Sequence, residues 1–208
     1  MYIPLQYNET DKTEIEILIR EYGFAILVSN KDTIPTATHI PLQLDTSHAD
    51  GWILNGHVAR ANPQWKTFES NPTVLAIFSG PDAYISPSWY TEKNVPTWNY
   101  RAVHVYGKVT LVGEEELEIQ LRQLMLHYEN KHAEKPQEYS EIPPKTLAVD
   151  LRGVVGFKIM VERVEAVRKL SQNRDAESHQ NIIVELNKSG STNAKRIADD
   201  MHKLNTKK

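Results

Sequence analysis

Hydrophobic and polar positions change rhythm at Gly23. Before it, Ile15, Leu18, Ile19 and Tyr22 recur at helical spacing behind Thr10-Asp11-Lys12-Thr13-Glu14, where Asp11 and Glu14 stand in capping-box register. Gly23 stops this helix. After it the chain reads as strands: Phe24 to Ser29, a polar turn at Asn30-Lys31-Asp32, an extended Thr33 to Leu44, a turn at Ser47 to Gly51, and Trp52 to His57. Pro35 and Pro41 cannot donate to a ladder. The run holding them is therefore expected at an edge or a bulge, with backbone groups free for a ligand.

A short helix is expected near Pro63 to Ser70, with Asn62 as N-cap, Pro63 at the first helical position, and Trp65 and Phe68 turned to a core. Extended runs follow at Thr73 to Phe78, Ala83 to Ser86 and Tyr100 to Val112. In the last, Val103, Val105 and Gly107 alternate with Ala102, His104 and Tyr106. Glu114-Glu115-Glu116 opens a helix with an apolar stripe at Leu117, Leu121, Leu124 and Tyr128, and His127, Lys131 and His132 suit its negative end. A charged, proline-bearing loop runs from Lys135 to Pro144, then a strand from Val154 to Val161 continues towards Val167. Two short helices, parted at Ser189-Gly190-Ser191, occupy 174–208. Six or seven strands with few helices between consecutive ones predict a mainly β fold, an antiparallel sheet closed into a barrel, rather than βαβ units.

Composition narrows the chemistry. The 208 residues contain no cysteine, which removes disulfides, thiolate metal sites and cysteine nucleophiles. No run reaches membrane-spanning length and Met1 to Leu5 is not a leader, so a cytoplasmic protein without a membrane partner is expected. The net charge of −3 is uneven: 158–208 carry 11 Lys/Arg against 7 Asp/Glu, and 1–157 carry 13 against 20. The basic residues are interleaved with acids, as on a solvated surface.

The richest stretch for chemistry is Gly56-His57-Val58-Ala59-Arg60-Ala61-Asn62-Pro63-Gln64-Trp65-Lys66. A strand there delivers His57, Arg60 and the first N–H groups of a helix to one turn, a combination suited to a phosphate; a corner with a solvated arginine is the plain alternative. Phe78 to Tyr106 holds seven of the 17 aromatics, which pack on their own core, line a flat ligand's pocket or form a subunit interface. His39, His57 and His104 lie on strands without metal-specific spacing, so no metal is expected. Ser86 and Ser88 lack a strained G-x-S-x-G turn, and no glycine-rich nucleotide loop occurs.

Five motifs in order carry a family resemblance: Thr38-His39-Ile40-Pro41-Leu42, the stretch from Gly56 to Trp65, Tyr84-Ile85-Ser86-Pro87-Ser88-Trp89-Tyr90, Val95-Pro96-Thr97-Trp98-Asn99-Tyr100, and Lys169-Leu170-Ser171-Gln172-Asn173-Arg174. Across nearly the whole chain they resemble the PaiB family, FMN-binding negative transcriptional regulators of the protease-synthesis and sporulation type. That family is similar to the split barrels of pyridoxamine-phosphate oxidase and flavin reductases. The resemblance implies a six-stranded split β-barrel over 1–173, a C-terminal helical extension over 174–208, and a homodimer with FMN at the subunit interface. It further implies Arg60 on the FMN phosphate, aided by His57 and the N–H groups near Asn62. Thr38, His39, Ile40, Pro41 and Leu42 would edge the isoalloxazine, Trp98 and Asn99 would close the site, and Lys169, Gln172 and Asn173 would complete it. The arginine–lysine pair of the oxidase phosphate site is Arg60-Ala61 here, and no substrate-phosphate arginine cluster follows, so pyridoxamine-phosphate oxidation is not implied.

The leading expectation is a flavin-binding regulator acting indirectly, through a protein partner or flavin chemistry. An FMN-dependent oxidoreductase or flavin reductase is the first alternative, and a DNA-binding repressor with the barrel as dimerisation scaffold the second. Direct DNA reading by the last helix is disfavoured because Asp199 and Asp200 stand beside Lys195, Arg196 and Lys203. Ile197, Met201 and Leu204 instead predict a face packed on the barrel or a dimer mate.

Overall fold

The computed structural model describes the backbone of residues 1–206 and side chains as far as Leu204. α1 spans Lys12–Glu21, and the Asp11 carboxylate caps it by accepting the Thr13 amide at 3.0 Å. Then come β1 Phe24–Lys31, β2 Ile34–Asp45, β3 Ile53–Ala59, β4 Thr73–Ile85 and β5 Thr97–Leu111. α2 Glu114–His132 and α3 Pro144–Gly153 precede β6 Val154–Lys169, and α4 Ala176–Lys188 and α5 Thr192–Thr206 follow it. The strands close into a barrel in the order β1-β2-β3-β6-β5-β4. The expected antiparallel, six-stranded barrel with C-terminal helices is the fold.

Two compact units divide the chain: Gly23–Ile77 with Val105–Val164, and Met1–Tyr22 with Phe78–His104 and the segment from Glu165 onward. In the first, β2 pairs with β1 from Ile34 to Pro41, but with β3 only from Leu42 to Asp45. Both prolines therefore lie where β2 has a single ladder, as their missing N–H groups require. The interior is filled by Leu27, Leu42, Leu54, Val58, Phe68, Ala76, Val105, Phe157 and Ile159. Burying each large side chain contributes about 1.5–3 kcal/mol. A Cβ on Gly107 would fall on the Met160 carbonyl, so β5 and β6 approach as closely as they do only with glycine there.

Three local expectations change. The helix after Asn62 is a single 3-10 turn, Pro63–Thr67, with Phe68 buried below it and edge-on to Phe157 at 5.5 Å. The runs at Thr73 and Ala83 are one strand; Pro81 fits because the β1 ladder on β4 ends at Ile77. α3 was not expected. None of its residues is fully buried, and its inward stripe is the single pair Leu147 and Leu151, too short to announce a helix behind two prolines.

The second unit has its own core, in which Ala83, Ile85 and Leu170 meet Ile182, Ile183 and Leu186 of α4 and Ala194, Ile197, Ala198 and Met201 of α5. Ile197 and Met201 are thus buried, with Leu204 packed against them. Arg101 of β5 ties three segments together: its guanidinium donates to Asp200 at 3.2 Å and to Glu14 at 3.3 Å, with its side chain 10% exposed. A paired cation this enclosed costs stability when its removal strands two acids. Arg101→Met is therefore expected to lower the unfolding free energy by about 3 kcal/mol, the low end for a broken buried pair. Urea unfolding measures it, and a loss no larger than about 0.5 kcal/mol, typical of a surface pair, would show the bridge to be solvated.

Candidate functional site

The buried amide of Gln64 organises the first group of candidates. At 2% exposure, its Nε2 donates to Leu27 O at 3.1 Å, Ser29 Oγ at 3.1 Å and Thr36 O at 3.3 Å. The Thr38 hydroxyl donates to Gln64 Oε1 at 2.5 Å and accepts Asn62 Nδ2 at 2.9 Å. Asn62 Oδ1 in turn accepts the Gln64 backbone amide at 2.9 Å. Thr38 and Asn62 are brought together, and their polar atoms serve this ring. The N–H group expected to face an anion is capped by Asn62, which leaves Arg60 as the cation of the turn. Sequence reasoning missed Gln64, because a glutamine two residues past an N-cap is ordinary until its burial is known.

Arg60 is held by three carbonyls in succession. Its backbone N–H donates to Gly153 O at 2.8 Å, its Nε to Arg152 O at 2.6 Å and its Nη2 to Val154 O at 2.8 Å. These carbonyls end α3 and begin β6, and the C-terminal pole of a helix favours a cation. A guanidinium has five N–H donors. Two are engaged, and the residue is exposed, so the Nη1 edge still faces solvent in a fixed plane. The arginine is neither freely solvated nor fully spent.

His57 is placed apart from the Arg60 guanidinium's carbonyl partners, on a cleft of its own. Its half-buried ring lines a cleft of about 350 Å³ with Leu121, Leu124 and Tyr128 of α2 and Leu147 and Leu151 of α3. Burial pushes its pKa below the ordinary imidazole value, so it is neutral at pH 7. His39 is exposed and stacks on Phe24 with ring centroids 6.2 Å apart. Ile40 and Leu42 are buried and Pro41 half-buried, so this stretch offers backbone, His39 and little else.

The remaining candidates lie in the other unit. Trp98 is 53% exposed and edge-on to the exposed Tyr84 at 5.9 Å. Asn99, given by the resemblance a place in the wall of a site, has no exposed surface. Its Oδ1 accepts Ser171 Oγ at 3.1 Å and its Nδ2 reaches Met201 Sδ at 3.5 Å, so it belongs to the core. Lys169 Nζ donates to Thr97 Oγ1 at 2.6 Å, and burial together with the charge of Arg174 lowers its pKa. Gln172 folds back on its own chain, accepting the Leu170 amide at 2.7 Å and donating to the Arg168 carbonyl, whereas Asn173 is exposed. Trp89 and Tyr90 pack on the α4–α5 core, so own-core packing accounts for that part of the aromatic stretch. The Ser86 and Ser88 hydroxyls bond each other at 2.7 Å. Among the described residues no group of three or more His, Asp or Glu side chains is placed to hold a metal ion, and no helix is long and apolar enough to cross a membrane.

Comparison with known proteins agrees with this architecture. A family model described as a putative FMN-binding domain matches residues 1–163. The chain is 43% identical over 201 residues to the protease synthase and sporulation protein PAI 2 of Bacillus subtilis, covering 97% of this chain and 96% of that one. It is 28% identical over 240 aligned positions to an uncharacterized protein of Aspergillus fumigatus, covering 91% and 92%. Among solved structures, the flavocytochrome Anf3 from Azotobacter vinelandii is similar with a TM-score of 0.64 at 15% identity, over 84% of this chain and 75% of that one. The FAD and heme binding protein from Mycobacterium smegmatis gives 0.59 at 12%, over 84% and 78%. At such identities the likeness is one of fold.

The cleft generates a pH prediction. The unfolded chain protonates His57 near pH 6.5, while the folded chain does so only at lower pH. Stability is therefore complete above that value and is lost as pH falls through it. His104, whose pKa is lowered by burial and then by the N-terminal ammonium, acts in the same sense. Urea unfolding at pH about 7.5 and about 5.5 is expected to show a smaller acid loss for His57→Gln than for wild type. Equal losses would mean that the ring is solvated.

Proposed function

The chain belongs to the family of putative FMN-binding domains, and from that membership we propose that it binds FMN and acts as a negative regulator of transcription without reading DNA itself. The observation that carries the flavin part is Arg60: an arginine at the end of β3, immobilised by carbonyls, with its outer N–H edge free. Such a group binds a phosphate without first losing side-chain freedom. The residues present fit a flavin phosphate at this one point. Beside it, β2 from Ile34 to Pro41 is paired on one side, which leaves backbone for the polar edge of a flat ring. Bound FMN would supply electron transfer, and the chain's part is to hold and orient it. Of the second group, Trp98, Lys169 and Asn173 keep a surface or charge with which to meet a ligand or a second copy, and Asn99 and Gln172 do not.

The regulatory part draws on the relative of Bacillus subtilis, whose name places it in protease synthesis and sporulation. α5 turns its apolar face into a core and commits Asp200 to Arg101, and its exposed face sets Asp199 beside Lys195, Arg196 and Lys203, an acid that disfavours a phosphate backbone. The effect on transcription then passes through a cytoplasmic protein partner or through the flavin. The exposed Tyr84–Trp98 pair is the proposed contact of a symmetric homodimer. No acid–base pair beside Arg60 identifies a substrate, so the oxidoreductase reading has no observation of its own.

Two experiments test this reading. Fluorescence titration of wild type with FMN and riboflavin is expected to show a phosphate-dependent preference that Arg60→Ala abolishes, a loss of about 1.5–3 kcal/mol for FMN and little for riboflavin. Equal loss of both ligands in the folded variant would refute the phosphate role. Sedimentation of the protein with and without promoter duplex at physiological salt is expected to give a dimer that ignores the DNA. A monomer at micromolar concentration would reject the Tyr84–Trp98 contact, and a specific complex lost on deleting 190–208 would promote the repressor reading.

A further inference from the structure

Resting on the reading that Arg60 binds the flavin phosphate, we propose that the same residue couples this subsite to α3, so that phosphate occupancy and the seating of α3 over the His57 cleft reinforce each other. α3 has no fully buried residue. Two half-buried leucines, Leu147 and Leu151, hold it against the cleft wall formed by His57, Leu121 and Leu124. Its C-terminal end is fastened by two donations from Arg60, to the carbonyls of Arg152 and Gly153, while a third goes to Val154 at the start of β6. A helix seated this lightly opens at modest free-energy cost, and that is the class of element that ligands bias.

The coupling follows from the donor geometry. With α3 seated, Nε and Nη2 each give a hydrogen to a carbonyl, which fixes the guanidinium plane and presents the Nη1 edge outward. With α3 unseated, the Arg152 carbonyl leaves while Val154 stays in the β3–β6 ladder, so the guanidinium keeps one partner in place of two, its plane is no longer fixed, and the phosphate must reorder it. Lysine would carry the charge but not the fork that faces both ways. By reciprocity, whatever factor α3 seating contributes to phosphate affinity, the phosphate contributes to α3 seating. The flavin phosphate site is in this way regulated by, and regulates, whether the apolar cleft around His57 is shut.

The test uses FMN and riboflavin as probes on the full chain. Leu147→Asn loosens α3 without touching Arg60 or adding charge. It is expected to weaken FMN about ten-fold while changing riboflavin less than about two-fold. In unmodified wild type, where no variant can misfold, FMN but not riboflavin is expected to slow amide hydrogen exchange across 147–153. A wild type that prefers FMN, with exchange in 147–153 indifferent to it, overturns the coupling while leaving the flavin reading intact; so does a folded Leu147→Asn that keeps the full preference. A wild type with no preference for FMN over riboflavin instead overturns the phosphate reading, and the coupling with it.

Discussion

The amide of Gln64 fills a gap that the barrel's own backbone cannot. Where β2 leaves β3 at Leu42, the strand loses one ladder, and a β2 carbonyl beyond that point, that of Thr36, takes a donor from elsewhere. One side chain supplies three acceptors on β1 and β2 and is itself oriented by Thr38. Because Gln64 is fixed, Asn62 is fixed; because Asn62 caps the turn, Arg60 leaves the end of β3 in one direction and meets the carbonyls after α3. The parting of two strands and the placement of the candidate phosphate group are one event, joined by the demand that buried polar atoms be paired.

Much of this was legible from the chain. Period-two alternation located β5, since Val103, Val105 and Gly107 do face inward. Pro35 and Pro41 marked the half of β2 with a single ladder, and Ile197, Met201 and Leu204 marked the packed face of α5. These are local signals, in which a residue's own chemistry limits its surroundings. The site was less legible. His57 reads as a neighbour of Arg60 in sequence, yet strand alternation turns its ring to the α2–α3 cleft, and a helix with only Leu147 and Leu151 as its stripe gave little sign that a cleft was there. Asn99 reads as a polar residue in an aromatic loop, but its partners Ser171 and Met201 lie far along the chain. Pairing over such distances leaves no trace in spacing.

The same contrast separates the two groups of candidate residues. Arg60, Asn62 and Thr38 are close in sequence to the ring that orders them, and their geometry is built from short-range capping and one buried glutamine. Trp98, Asn99 and Lys169 depend on segments from three parts of the chain. In that unit the polar residues chiefly hold the helices, as Asn99 does through Met201 and Lys169 through Thr97. What is left for recognition there is aromatic surface, Tyr84 against Trp98, which suits a broad contact better than a directed hydrogen bond.

The bridge at Arg101 has a consequence for the order in which the protein can be made. Its acids lie 87 residues upstream, at Glu14, and 99 downstream, at Asp200. A ribosome releases Glu14 and Arg101 before Asp200, so over those 99 residues the nascent chain carries a half-neutralised cation and lacks a finished α5, with which its second core is completed. The unit built from Gly23–Ile77 and Val105–Val164 has all its residues by then. The bridge is therefore complete only once Asp200 has been made, when α5 is joined to α1 through Arg101.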